Sequence, residues 1–201
     1  MMKRRHDHPS QVPTVPSVFR PRDLNTLKLS RTQLRSMLRA GEVEQIGRGL
    51  YRYHAVEPTE LETIATICAR VPHAIVCLLS ALAIHDIGTQ QPPEVWIALD
   101  RKARKPRLDD VAVRIVRFSG PMLHNGVATR MIQGVPMRIT TPARTVVDCF
   151  RYRNKLGLDI ALEALRDALG RKLATVDELV RAAEVCRIYS VMKPYLQAVL
   201  S

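Results

Sequence analysis

The stretch Arg31–Ala40 constrains this chain most. Ser30 stands where a helix wants its N-cap, and Gly41 stands where a helix needs a left-handed residue to stop. Between them Leu34, Met37 and Leu38 fall at i, i+3 and i+4, the spacing of one apolar helix face. The rest of the turn is polar: Arg31, Thr32, Gln33, Arg35, Ser36 and Arg39. Upstream, Pro21 and Asp23 suit the first turn of another short helix over 21–27. Its Leu24 and Leu27, with Leu29 after the Lys28 turn, offer an apolar surface for the second helix. Downstream, 43–46 and 50–54 are rich in Val, Ile, Leu and Tyr and flank Gly47-Arg48-Gly49, a tight hairpin signal. Two short helices and a hairpin predict a winged helix-turn-helix over residues 19–54.

The polar face of the second helix has the chemistry of a DNA reader. Arginine pairs bidentately with guanine and glutamine with adenine, and residues near the start of a recognition helix are the ones that enter the major groove. Arg31, Thr32, Gln33, Arg35, Ser36 and Arg39 are therefore the candidate contacts. Arg48 at the hairpin tip, with Arg52 on the returning strand, is a candidate for the DNA backbone or minor groove. Charge agrees. The chain carries 31 Lys and Arg against 19 Asp and Glu, net +12, which favours polyanionic partners. Residues 1–54 hold eleven of the basic groups and only four of the acidic ones. Aromatic residues are 4% of the chain, too few for a protein that stacks single-stranded bases on rings. Duplex DNA is the expected partner.

Residues 1–18 are expected to be a basic, proline-rich tail. Pro9, Pro13 and Pro16 exclude a helix there, and Lys3-Arg4-Arg5 is either a groove-seeking arm or a solvated terminus. From about residue 55 to 201 the pattern is that of a second, α+β domain. Helices are expected from Pro58 to Arg70, over the apolar run 75–87, from Pro142 to Arg151, over 158–169, from Thr175 to Cys186 and from about Val191. Strands are expected at 95–99, 111–118, 127–132 and 135–139, with a charged loop over 101–110. The fold class is thus α+β, a winged helix-turn-helix followed by a mixed α/β domain that ends in helices. No run approaches a membrane span and no leader pattern opens the chain, so a cytoplasmic protein without a membrane partner is expected. No cofactor motif is present.

With these patterns in place, a family resemblance can be stated. FRPRDLNTLKLSRTQLRSMLRAGEVEQIGRGLYRY (19–53) resembles the N-terminal winged helix of the AbiEi-type antitoxins. LLSALAIHDIG (78–88) and ITTPARTVVDCF (139–150) resemble two signature stretches of that family's C-terminal domain. The likeness covers about residues 19–170. It implies the antitoxin half of a bacterial type IV toxin–antitoxin (abortive infection, phage defence) pair. Its winged helix would bind inverted repeats in its own promoter and act as a transcriptional repressor. Its C-terminal domain would counter a nucleotidyltransferase-like toxin, with direct binding of that toxin left open. One departure stands out: the family's DNA-binding domain starts with a helix where this chain has the prolines of 9–18.

In the second domain Arg144 and Asp148 lie at i and i+4 of one helix, next to Thr145. An ion pair locking that helix to the preceding strand is the favoured reading, and a surface used on the toxin the other. The principal alternative function is a metal-dependent nuclease. Asp86 and Asp100 would hold a divalent ion and Lys102 would assist a water. Ser80 with His85 is a weaker hydrolase pattern, since no glycine elbow flanks the serine. Cys68, His73 and Cys77 lack a fourth ligand for a closed zinc site. Neither catalysis nor a metal is expected. The basic loop Arg101, Lys102, Arg104, Lys105, Arg107 is either a phosphate contact, a docking face for an acidic partner, or a solvated loop.

Overall fold

The computed structural model describes residues 18–47, 49–54, 61–132 and 134–200. The tail 1–17, with Lys3–Arg5, and Arg48 at the hairpin tip lie outside the described residues, as does the start of the helix expected from Pro58.

The architecture is mixed α and β. The N-terminal unit begins with β1 (Val18–Phe19), then a 3-10 turn (Pro21–Asp23), α1 (Arg31–Ala40), β2 (Val43–Gly47) and β3 (Leu50–Tyr53). The three strands form an antiparallel sheet in the order β1-β3-β2. β1 falls in a segment whose prolines predicted no order before Phe19. The helix expected over 21–27 is not an α-helix. The carboxylate of Asp23 accepts the Arg20 N–H at 2.8 Å, and a chain of turns follows to Lys28, which sits at φ +55°. The local cap and turns prevail over the helical spacing of Leu24 and Leu27.

α1 spans the predicted residues. Ser30 accepts the Gln33 N–H through its hydroxyl, and Gly41 ends the helix at φ +72°. Leu34 is buried with Phe19, Leu24 and Val43, and Met37, Leu38, Leu27 and Leu29 pack around them. Phe19 lies between the rings of Tyr51 and Tyr53, centroids 5.7 and 4.8 Å away.

The remainder contains α2 (Glu62–Arg70), β4 (Ile75–Val76), α3 (Leu78–His85), β5 (Val95–Asp100), β6 (Val113–Phe118), a 3-10 turn at Gly120–Leu123, β7 (Val127–Ile132) and β8 (Val135–Thr140). Five helices follow: α4 (Pro142–Arg151), α5 (Arg153–Leu156), α6 (Leu158–Gly170), α7 (Val176–Val185) and α8 (Tyr189–Leu200). The strands form one mixed sheet in the order β6-β5-β4-β8-β7. β4–β8 and β5–β6 are parallel, and β4–β5 and β7–β8 antiparallel. Alternation along the strands divides the core. Ile75, Trp96, Ala98, Val116 and Phe118 pack with α3, α4 and α6 to α8. Val76, Ile97, Leu99, Met137 and Ile139 face α2. Val18 and Leu50 of the N-terminal sheet share that second core, so the two sheets are joined through α2.

The expected helix over 75–87 is a strand and a helix. Ile75–Val76 sits at the centre of the five-stranded sheet, and the chain turns at Leu78, φ +51°, into α3.

Candidate nucleic-acid interface

α1 is held by its inner face and its two ends. Burying a leucine such as Leu34 contributes about 2 kcal/mol, and a good N-cap about 1 kcal/mol. Apart from Gln33, which closes the N-terminal capping box, this scaffolding does not use the outer face. Arg31, Thr32, Gln33, Arg35, Ser36 and Arg39 are all exposed. Among the described residues, Arg31, Arg35 and Arg39 hold no ion pair, so three cations stand free on one side of one helix.

Gln33 differs from its neighbours. Its side-chain oxygen accepts the Ser30 N–H at 2.7 Å while its own N–H donates to the Ser30 hydroxyl at 3.1 Å. This reciprocal capping box engages the oxygen that bidentate pairing with adenine would need. The Ser30-x-x-Gln33 spacing signals the box, which the assignment to base reading overlooked.

Arg52 is brought to a different task. It pairs with Glu44 directly across the β2–β3 ladder and with Glu62 in the first turn of α2. The Glu62 hydrogen bond raises its pKa. Its charge is balanced within the chain and ties the hairpin to α2, 10 residues along the sequence.

The Arg144, Thr145, Asp148 motif lies inside the protein. Eight consecutive residues of α4, Ala143 to Phe150, are buried. Arg144 donates from Nε to Asp148 at 2.9 Å, from Nη1 to the Asn125 carbonyl at 2.6 Å and from Nη2 to the Met122 carbonyl at 3.3 Å. Its guanidinium also lies over the Phe118 ring, 5.1 Å from the centroid. Gly126 leaves room for this: at φ +65°, a Cβ there would stand 2.7 Å from that of Arg144. The second Asp148 oxygen is buried without a hydrogen bond, and burial pushes this carboxyl up to about 6 against the pull of Arg144. Thr145 bonds the Thr140 hydroxyl at 2.7 Å and the Thr141 carbonyl at 2.9 Å. The two signature stretches meet where His85 Nε2 lies 2.6 Å from the Thr140 carbonyl. The arrangement locks α3 and α4 to the end of β8.

Other candidate groups are not gathered. Ser80 is buried and accepts the Trp96 N–H at 2.9 Å. Asp86 pairs with Arg171 at 2.8 Å, whereas Asp100 accepts the Lys102 N–H at 2.8 Å. The two carboxylates of the nuclease reading are thus engaged with separate elements. Cys68 and Cys77 belong to opposite cores, and burial raises both thiols, that of Cys68 to about 12. No group of three or more His, Cys, Asp or Glu side chains that could hold a metal ion occurs among the described residues. No helix among them is long and apolar enough to cross a membrane.

A capped helix with an exposed arginine face, beside a three-stranded sheet, is the kind of element that regulators lay on DNA. Residues 15–54 match the family model described as transcriptional regulator, AbiEi antitoxin. The N-terminal unit is thus similar to that family's transcriptional regulators, over about a fifth of the chain. The RV2827C protein from Mycobacterium tuberculosis, known from a crystal structure, is similar in fold. Its TM-score is 0.58 at 16% identity, over 92% of this chain and 76% of that one. No curated protein matches the sequence.

Proposed function

We propose that this protein is a DNA-binding autorepressor and the antitoxin of a type IV pair, countering a nucleotidyltransferase-type toxin. The observation that carries the reading is the outer face of α1. Six polar side chains, three of them unpaired arginines, are exposed there, and of the six Gln33 alone also closes the helix's capping box. The family match of residues 15–54 supports the regulatory half. In this reading the N-terminal unit is a minimal winged helix-turn-helix, with the 3-10 turn at Pro21–Asp23 in place of the first helix. Arg31, Thr32, Arg35 and Ser36 read base edges, Gln33 does so when its cap opens, and Arg39 holds a phosphate. The likeness of 78–88 and 139–150 to antitoxin signatures supports the second half. Because their polar groups are consumed internally, the residues that face the toxin's effects lie elsewhere on that domain's surface.

A gel-shift with the duplex upstream of its own gene, against random duplex, tests the repressor. Tighter binding to the former is expected, and equal affinity for both would sink it. Co-expression with a neighbouring nucleotidyltransferase gene tests the antitoxin, with restored growth expected.

A further inference from the structure

We propose that the cleft between the N-terminal unit and the five-stranded sheet is a binding site for a small monocarboxylate with an apolar body, seated on the guanidinium of Arg20. The cleft holds about 300 Å³, a size that small-molecule pockets occupy. Its walls come from three segments. Phe19 and Leu27 belong to the N-terminal unit, Ala69 and Pro72 to α2 and the residues after it, and Val135 and Pro136 to β8. All six are apolar.

Arg20 is the polar group in this lining that the fold leaves unanswered. Its backbone is occupied: the N–H donates to the Asp23 carboxylate at 2.8 Å, and the carbonyl accepts the Asp23 N–H at 2.9 Å. Its side chain is not. Among the described residues the guanidinium makes no hydrogen bond and no ion pair, and its Nε is buried. Burial lowers its pKa, and the neighbouring Arg22 adds to that effect against the pull of Asp23. Elsewhere in the chain Arg52, Arg144 and Arg171 are each answered by carboxylates. A partly desolvated donor without an acceptor costs stability, and a ligand that supplies the acceptor recovers it.

The charge of the lining selects the ligand class. Its ionised groups are Arg20, Arg22 and Asp23. One Asp23 oxygen takes the Arg20 N–H and the other lies 3.7 Å from Arg22 Nε, so one positive charge is left over. Cys68 also lines the cleft, but burial pushes its thiol up to about 12 and it adds no charge. A monoanion balances the site. A carboxylate fits a guanidinium through two parallel N–H bonds, and the walls call for an apolar body behind it. A phosphate monoester carries a second charge and a third oxygen, which match neither the balance nor the walls.

The position of the site is informative. Phe19 and Leu27 also pack in the core beneath α1, and Ala69 belongs to the core around α2. An occupant therefore touches both cores, at the joint that orients α1 on the rest of the chain.

The test is titration calorimetry of the full chain with benzoate, and with benzamide as its uncharged counterpart. Wild type is expected to bind benzoate at one site per chain, and its Tm should rise as benzoate is added. Benzamide should bind roughly ten- to a hundred-fold more weakly, the worth of a hydrogen-bonded contact between charged groups. Arg20→Gln should lose benzoate affinity by a similar factor while keeping the ligand-free Tm of wild type, because the side chain has no partner to lose. Thr26→Trp, at an exposed position on the rim, should fill the cleft and abolish binding of both compounds. It decides the matter should Arg20→Gln not fold. Benzoate that fails to bind wild type, that binds it no better than benzamide, or that binds either variant as tightly as wild type overturns the proposal.

Discussion

α1 and α4 are ten residues each, follow a Ser or Thr N-cap position, and contain an Arg-Thr pair, Arg31-Thr32 in one and Arg144-Thr145 in the other. Their fates are opposite. In α1 only Leu34 is buried, and the arginines face outward without partners. In α4 eight residues are buried, and Arg144 is held by a carboxylate, two carbonyls and a ring. The difference lies in what covers each helix. α1 rests on one thin layer of leucines and aromatic rings. α4 is enclosed by the sheet, α3, α6, α7 and α8. An arginine without water needs every donor answered, so burial turned α4's polar residues into a lock. An arginine in water can wait for a ligand. The same residue types therefore stay exposed and unpaired in one helix and form a structural centre in the other.

Substitutions can break this contrast. The largest effect is expected from Asp148→Ala, which strands the buried Arg144 cation. A loss of about 3–5 kcal/mol in urea unfolding is expected, since removing one partner of a buried pair leaves the other uncompensated. Changing both residues to apolar ones of similar volume should cost less than that single change. A loss under 1 kcal/mol for Asp148→Ala would show that α4 tolerates its arginine as α1 does.

The second effect concerns α1 and should leave stability alone. Arg35→Ala is expected to reduce discrimination between the upstream duplex and random DNA by about 1–3 kcal/mol, the worth of one bidentate base contact. Its unfolding free energy should stay within about 0.5 kcal/mol of wild type, as for surface changes in general. Gln33→Ala should behave differently, losing cap stability as well as any base contact, because its oxygen closes the capping box. If Arg35→Ala changes only the salt slope, Arg35 is a phosphate contact and the reading face needs reassigning.

The smallest effect is a pH dependence confined to α4. Burial raises the Asp148 carboxyl to about 6, so between about pH 4 and 6 the folded chain binds more protons than the unfolded one. The contribution of Asp148 to stability therefore grows as pH falls through 6 and levels off near 4. His85 opposes it: burial lowers its pKa, so it favours the folded state less as the solution becomes acidic. The difference between wild type and Asp148→Asn isolates the carboxyl. From pH 7 to pH 5 that difference should move in favour of wild type by on the order of 1 kcal/mol. A flat difference would mean an ordinary carboxylate at 148.

Much of the helical structure was legible because its signals are local. Ser30 and Gly41 bounded α1, and Thr175 with Glu178 opened α7 through a capping box, as expected from the spacing. Strand alternation located β6, and Gly134 marked the β7–β8 turn. β4 was not legible. The run 75–87 is mostly apolar, without Gly or Pro, and a buried strand of two residues leaves no period to detect. Its place at the centre of the sheet comes from pairing with β5 and with β8, which follow it at 95 and 135. The helix expected over 21–27 rested on Pro21, Asp23 and the leucine spacing. Its local hydrogen bonds chose a 3-10 turn.

The sequence by itself determined the span and caps of α1, the polar composition of its outer face, the pairing of Arg144 with Asp148 one turn apart, and the excess of positive charge. Each depends on residues within a few positions of one another, or on counting. The tertiary structure decided which cations remain available. Arg52 was enlisted by Glu62 of another element, and Arg144 was enclosed by segments from residue 118 to residue 148. Arg70 and Arg117 became clamps that hold the backbone of loop 101–107. Burial and ion pairing are set by elements far apart in the chain, so no local pattern distinguishes an arginine that holds the fold from one that is free to hold DNA.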